Sequence, residues 1–444
     1  MVSVFSENLR VFNAEQFKES VSEAANNTFY FTIGKGTAWA NDAAPRQANS
    51  SVAMMHEIYQ NMIGAKKIFN SDISHVTERY DWVANTSYAA YDHCLCSLIL
   101  FNSNTNFYVV TDDYNVYKCL ANNNSSNSTV KPTSTVTDAV FQTSDGYTWK
   151  YMYSISASEQ LRFTTDEYIP VKTLVQDDET LQWDVQQNAV DGAIDVIEIV
   201  DGGSNYANAN TITLTISGDG NDAAATAQVN TSTNTISSIV VTNPGSGYTY
   251  ADITVTDSTA NGTGAVLRAV ISPPGGHGSD PLRELGGSKL LINMRLLDDE
   301  DGYLPVTNEY RQVAIIQDPY IYNTSNVASN TVVSQYTTLT LNGISVDYHE
   351  DEIVYQGASV ATATFSATVL EWDSGNSIIK LTNASGTPTT DLLIGNTSTA
   401  SRFVDSVTNP DLEIYSGKLI YTNNIVPISR AADQTEDFKI VLKF

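Results

Sequence analysis

Apolar residues in this chain fall in short runs separated by Asn-, Ser- and Thr-rich stretches, and a helical period is confined to the first third. Asn13-Ala-Glu-Gln16 has the form of a capping box and predicts a helix to about Ala25, with Phe17 and Val21 inward. Phe29-Tyr-Phe-Thr-Ile33 predicts a buried strand, punctuated by Gly34 and Gly36. A second helix is expected from Ser51, with Met54, Met55, Ile58 and Met62 on one face and Gly64 as its C′ residue. Methionines at that spacing read as core. Strands then dominate, at 95–101, 107–110, 114–120 and 147–154. Between them, residues 121–135 have no core-forming pattern and predict an exposed, mobile loop.

An internal repeat follows. Ile194-Asp-Val-Ile-Glu-Ile-Val-Asp-Gly-Gly-Ser-Asn-Tyr206 aligns with Ile236-Ser-Ser-Ile-Val-Val-Thr-Asn-Pro-Gly-Ser-Gly-Tyr248, at an offset of 42 residues. Each copy offers a strand, a Gly-rich turn, an aromatic and a second strand (211–216 and 252–256), so the two predict one small β domain. Pro273-Pro-Gly-Gly276 reads as a linker closing it. Farther on, 364–372 and 377–381 flank Asp373-Ser-Gly-Asn376, a hairpin signal. At the C-terminus Phe438, Ile440, Leu442 and Phe444 alternate with Lys439, Val441 and Lys443, which predicts a strand with one buried face.

Charge sharpens this map. The 444 residues predict about two to four domains. They carry 50 acidic and 23 basic side chains, a net charge of −27. Residues 173–267 hold 12 acids and no Lys or Arg, and residues 312–379 hold seven acids and again no base. Removing those 19 leaves 31 acids against 23 bases, or −8. A nearly balanced frame therefore carries two acidic insertions. The expected organisation is a mainly β frame with minor α at 1–190, 281–345 and 405–444. A repeat-bearing β module at 191–280 and a second small β module at 346–404 are inserted into it.

The acidic balance argues against nucleic acid as a partner, since phosphate contacts need clustered Lys and Arg. No run of about 18 apolar residues is present to cross a membrane. The start has neither a basic nor an apolar leader region, so synthesis in a cytoplasm without ordinary secretion is expected, and the Asn-x-Ser/Thr sequons carry no meaning there. Cys94, Cys96 and Cys119 are expected to be reduced, mostly buried hydrophobes.

Candidate chemistry is sparse. His93-Cys94-Leu95-Cys96 offers soft ligands, with Cys119 as a further contributor, but a closed zinc site wants four. His349-Glu-Asp-Glu352 reads as a charged turn rather than a metal site. Asp201-Gly-Gly203 and Gly218-Asp-Gly-Asn-Asp222 resemble calcium turns without matching the spacing of EF-hands or calcium β-rolls. Gly-x-Ser-x-Gly, P-loop and His-Glu-x-x-His signatures are missing, and Gly34-Lys-Gly36 is merely a turn. No carboxylate pair stands out among 50 acids. The expectation is no enzyme: no catalytic, cofactor or metal residues, no cofactor and no small-molecule substrate.

Several stretches together resemble the gene-product-eight family, the baseplate wedge subunit of T-even-type contractile-tailed phages. They are Phe29-Tyr-Phe-Thr-Ile-Gly-Lys-Gly-Thr-Ala-Trp39, Met62-Ile-Gly-Ala-Lys-Lys-Ile68 and Arg79-Tyr-Asp-Trp82 with Tyr88 and Tyr91. Val116-Tyr-Lys-Cys-Leu120, Asp145-Gly-Tyr-Thr-Trp-Lys-Tyr151 and Glu167-Tyr-Ile-Pro-Val171 follow. Arg311-Gln-Val-Ala-Ile-Ile316, Ser416-Gly-Lys-Leu-Ile-Tyr421 and Ala432-Asp-Gln-Thr-Glu-Asp437 complete the set. Residues 191–280 and roughly 346–404 have no counterpart in the family pattern. The resemblance implies a layered antiparallel β-sandwich with helix-bearing loops, and a homodimer set beside other wedge proteins in the virion tail baseplate. It implies assembly in the host cytoplasm and no catalysis. A carbohydrate-binding or receptor-recognition tail protein is the alternative, supported by β modules with Asn, Ser, Tyr and Trp residues such as Trp183 and Trp372.

Overall fold

The computed structural model describes residues 6–23, 27–95, 106–259, 261–306, 308–431 and 433–444. The protein is mainly β, with several antiparallel sheets and five helices among the described residues. No described helix is long and apolar enough to cross a membrane. The chain forms two compact units. Met1–Gln16, Ser74–Ile292 and Ile440–Phe444 make the first; Phe17–Ile73 and Asn293–Lys439 make the second.

The first helix runs Glu7–Ser22, starting well before Asn13. Ser6 receives its opening amides, from Leu9 and Arg10, so Asn13 lies inside the helix and caps nothing. Val11 and Ala14 are its buried residues, while Leu9 and Phe12 remain exposed. The expected strand is Phe29–Gly34, buried at every position because it is paired on both sides, by Met62–Lys67 and by Tyr310–Gln317. Ser51 caps helix Val52–Asn61, its side chain accepting from the Met54 amide at 3.2 Å. Gly64 is not the C′ residue of that helix. It sits within strand Met62–Lys67, opposite Ile33, where a Cβ would clash with the Leu304 side chain. Glycine is needed there for close approach.

In the first unit, strands Tyr108–Val110, Asn115–Asn122, Tyr147–Ser154 and Phe141–Gln142 form a four-stranded sheet with a core on each face. The strand expected at 95–101 lies almost entirely outside the described residues, as does Cys96. The tract 121–135 is tied down rather than free. Asp145 accepts from Ser128 Oγ at 3.1 Å and from the Thr129 and Val130 amides at 2.7 and 2.9 Å, and Ser128 is buried. Its lack of apolar residues hid a tract held by hydrogen bonds instead.

The repeat proves to be three strands per copy, and the copies interlock. Val196–Ser204 of the first pairs with Thr263–Val270 of the second, while Thr235–Asn243 of the second pairs with Ala224–Asn230 of the first. The middle strands, Ile212–Gly218 and Ala251–Asp257, pair with each other. This is the arrangement of a two-fold dimer fused into one chain. Gly203 (φ 65°) and Gly245 (φ 64°) occupy equivalent turns, and in each a Cβ would strike backbone of the other copy and the turn's own tyrosine, Tyr206 or Tyr248. Those tyrosines fill two matching cores, one with Ala227 and Ile236, the other with Ile197, Leu267 and Ala269. Where the repeat leaves the rest of the first unit, its ends meet: Ser272 N donates to Ala193 O at 2.9 Å, and Ala193 N to Ser272 Oγ at 3.0 Å.

In the second unit, Thr337–Asn342, Ile353–Gln356, Phe365–Asp373, Ile378–Gly386, Leu392–Gly395 and Ser401–Thr408 close into a six-stranded barrel. It spans 337–408, extending past both ends of the expected module at 346–404. Asp373 organises the expected hairpin turn, accepting from the Gly375 and Asn376 amides. Leu339, Val354, Phe365, Val369, Ile379 and Leu393 fill the barrel, so it is a packed core and not a pore. The final strand is Thr435–Lys443, the edge strand of a sheet. Of the four alternating residues only Ile440 is buried; Phe438 and Leu442 are half-buried and Phe444 is 36% exposed. Val441 faces apolar residues instead, because a strand covered in part on both faces does not keep a strict inside and outside.

Candidate functional site

Alternation in the central sheet of the first unit sends Tyr117, Cys119, Tyr147, Trp149 and Tyr151 to one face. Val116, Leu120 and Met152 go to the other, with Tyr91, Phe107, Ile169 and Leu285. The same alternation carries Lys118 and Lys150 onto that second face, directly opposite each other across the strand pair. Lys118 is 0% exposed and Lys150 4%. Two adjacent buried ammonium groups are unstable without compensation.

Compensation comes from the segment that follows the repeat. Pro273-Pro-Gly-Gly276 is a turn, closed by the Gly276 amide on the Pro273 carbonyl at 2.8 Å, not a free linker. It delivers His277 into the core and leads to the short helix Pro281–Glu284, capped by Asp280. Lys118 Nζ donates to Glu284 Oε2 at 2.7 Å and to His277 Nδ1 at 3.0 Å, and stands 4.0 Å from the centre of the Tyr91 ring. Glu284 Oε1 accepts from the Gly278 amide at 2.7 Å and the Asp280 amide at 3.3 Å. Lys150 Nζ donates to the Thr137 carbonyl at 2.9 Å. Burial draws both lysines below their ordinary range, against the pull of Glu284 and Asp195. Burial, then the two lysines, holds His277 far below its usual value, so it is neutral; burial raises Asp195 although both lysines oppose it. Sequence reading missed this cluster. Its one signal was a lysine at an inward position in each of two apolar strands.

The residues that had suggested metals are otherwise occupied. Asp92, His93 and Cys94 offer ligand atoms within 4.8 Å of one another. Arg268 already fills that corner: its Nη1 donates to Asp92 Oδ1 at 2.9 Å and lies 3.8 Å from Cys94 Sγ. The Ile271 amide donates to His93 Nδ1 at 3.3 Å. Cys119 is buried on the aromatic face of the sheet, where burial pushes its thiol far up. A guanidinium where a cation would sit opposes binding, so elemental analysis of the purified protein should find no stoichiometric zinc. One zinc per chain, lost on Cys94→Ala or Cys96→Ala, would contradict this.

The acidic turns are engaged by backbone amides, within the turn or from a neighbouring segment. Glu352 is buried and accepts from the His349, Thr397 and Ser398 amides and from Ser398 Oγ. Burial raises its carboxyl, but these donors outweigh burial and hold it below the ordinary range. Asp201 accepts from the Gly203 amide. Asp219 accepts from Thr249 Oγ1 and from the Thr249 and Tyr250 amides, which lowers it to about 2. It thereby clasps the two copies of the repeat together. Trp372 is half-buried and engaged: Arg402 lies over its ring at 4.9 Å, Tyr348 meets it at 5.2 Å, and its Nε1 donates to Asp347. Trp183 is half-buried on helix Leu181–Gln187.

Residues 3–138 match the model of the family described as Bacteriophage T4, Gp8. No curated protein matches the chain.

Proposed function

We propose that this chain, whose residues 3–138 carry the pattern of the Gp8 baseplate wedge family, is a structural subunit of a contractile-tailed phage baseplate. The family match is the observation that carries the reading. It implies a structural role in the virion tail. The finer mechanism is assembly: the subunit dimerises, packs against other wedge proteins, and lets those contacts rearrange when the tail contracts. Obligate interfaces of this kind bury roughly 2,000 Å² or more. Exposed Tyr320, Ile321, Tyr322 and Tyr415 in the second unit suit such contacts. The engagement of Glu352, Asp201 and Asp219 by backbone amides suits a structural role.

Light scattering on the purified protein should give near twice 48.3 kDa, and the chain should co-purify with the other tail proteins of its phage. A stable monomer at micromolar concentration that captures none of them would refute the reading. The adhesin alternative loses Trp372 as a stacking platform, and a glycan array should be silent.

A further inference from the structure

The Lys118 site holds more than an ion pair needs. A nucleophile, Lys118 Nζ, lies 2.7 Å from Oε2 of a carboxyl group. The other oxygen of that carboxyl is held by two backbone amides, Gly278 at 2.7 Å and Asp280 at 3.3 Å, as an oxyanion would be. A base, His277 Nδ1, stands 3.0 Å from the nucleophile and 4.0 Å from Glu284 Oε2, the oxygen that would leave. The three side chains are at least nine-tenths buried, and the Tyr91 ring packs nearly perpendicular to that of His277 at 5.0 Å between centroids. We propose that Lys118 and Glu284 condense to form an intramolecular isopeptide bond, with His277 moving the proton from nitrogen to the departing oxygen.

The step balances without a co-reactant. The ammonium passes one proton to Oε2, leaving an amine whose lone pair is free to attack and a carboxylic acid. The amine nitrogen attacks Cδ, and negative charge develops on Oε1 against the Gly278 and Asp280 amides. The nitrogen gives its second proton to His277 Nδ1, which returns it to Oε2. The Cδ–Oε2 bond breaks, water leaves, and the third hydrogen stays on the new amide. One observation favours Lys118 over its neighbour Lys150. Lys150 is turned to the Thr137 carbonyl at 2.9 Å rather than to a carboxylate. Burial lowers Lys118 toward the free amine and keeps His277 unprotonated, as the step requires. The bond would link residues 166 positions apart, fastening the central sheet to the segment that leaves the repeat.

Intact mass spectrometry of the denatured full-length protein tests this. The expected mass is one water below that of the sequence, with a tryptic peptide pair joined through Lys118 and Glu284 and no cleavage after Lys118. Lys118→Arg and Glu284→Ala should each restore the full mass. Should either fail to fold, His277→Asn keeps the pair and removes the base. It should give a folded protein, by circular dichroism, that retains the water. Wild-type protein at full mass with cleavage after Lys118 would overturn the proposal. So would a joined peptide mapped to Lys150 or Asp195.

Discussion

Replacing Arg430 by methionine should lower stability by about 3–5 kcal/mol, the usual cost of leaving one member of a buried pair without the other. Arg430 donates from Nε to Glu436 Oε2 at 2.9 Å and from Nη1 to the Leu304 carbonyl at 2.9 Å, and Nη2 reaches the Asp298 carbonyl. Its side chain is 1% exposed and that of Glu436 7%. Methionine fills much of the volume but strands a buried carboxylate whose Oε1 has no hydrogen-bond partner among the described residues, together with two carbonyls. For a unit of this size each kcal/mol moves the melting temperature by about 2–4 °C, so calorimetry should show a fall of about 6–20 °C. Arg430→Met with Glu436→Leu removes both charges and should recover most of the loss. A single variant melting within about 2 °C of wild type would mean that solvent or rearrangement satisfies Glu436.

What could be read from the sequence follows physical type. Continuous apolar strands such as Phe29–Gly34 and Tyr147–Ser154 were legible because burial on both faces leaves no ambiguity of register. The repeat was legible as two copies, yet its third strand was not. Ala224–Asn230 is small and polar, and only its pairing with Thr235–Asn243 makes it a strand. Tracts fixed by hydrogen bonds rather than by apolar burial, such as 121–135, look disordered in sequence. Buried ions are harder still. Lys118 and Glu284 are partners only because a return segment brings 284 beneath 118, and no local pattern encodes that. Glycines are ambiguous in the same way: Gly64 serves close packing in a strand, where local spacing suggested a helix end.

Excising the repeat should leave a folded frame, whereas removing the last seven residues should not. The cut must respect the cluster beneath it. Joining Val190 to Pro281 would take away His277 and the Gly278 amide that holds Glu284, so the better junction is Ala193 to Ser272, which already hydrogen-bond to each other. A short Gly/Ser linker suffices there, because inserted units are removable where their ends meet. The loss to the frame is limited: Val270 leaves its core, at roughly 1.5–3 kcal/mol, with the half-buried Val196 and the Ile271–His93 hydrogen bond, and the partly exposed Arg268–Asp92 pair contributes about 0–1 kcal/mol. Losing Asp195 adds strain between Lys118 and Lys150, which Glu284 and the Thr137 carbonyl still hold. Truncation before Phe438 removes more. Phe438 packs on Phe31 at 4.8 Å and Tyr310 at 6.0 Å, Ile440 is buried, and Val441 joins Val76, Phe163, Tyr168 and Leu291. With each apolar side chain worth roughly 1.5–3 kcal/mol when fully buried, three such contacts amount to about half of a total near 5–15 kcal/mol. The strand's backbone pairing goes with them. Thermal melts and co-purification with wedge partners should therefore show a folded, partner-binding protein for the internal deletion and an unfolded or aggregated one for the truncation. The reverse outcome would mean that the repeat is part of the frame and the C-terminal strand an ornament.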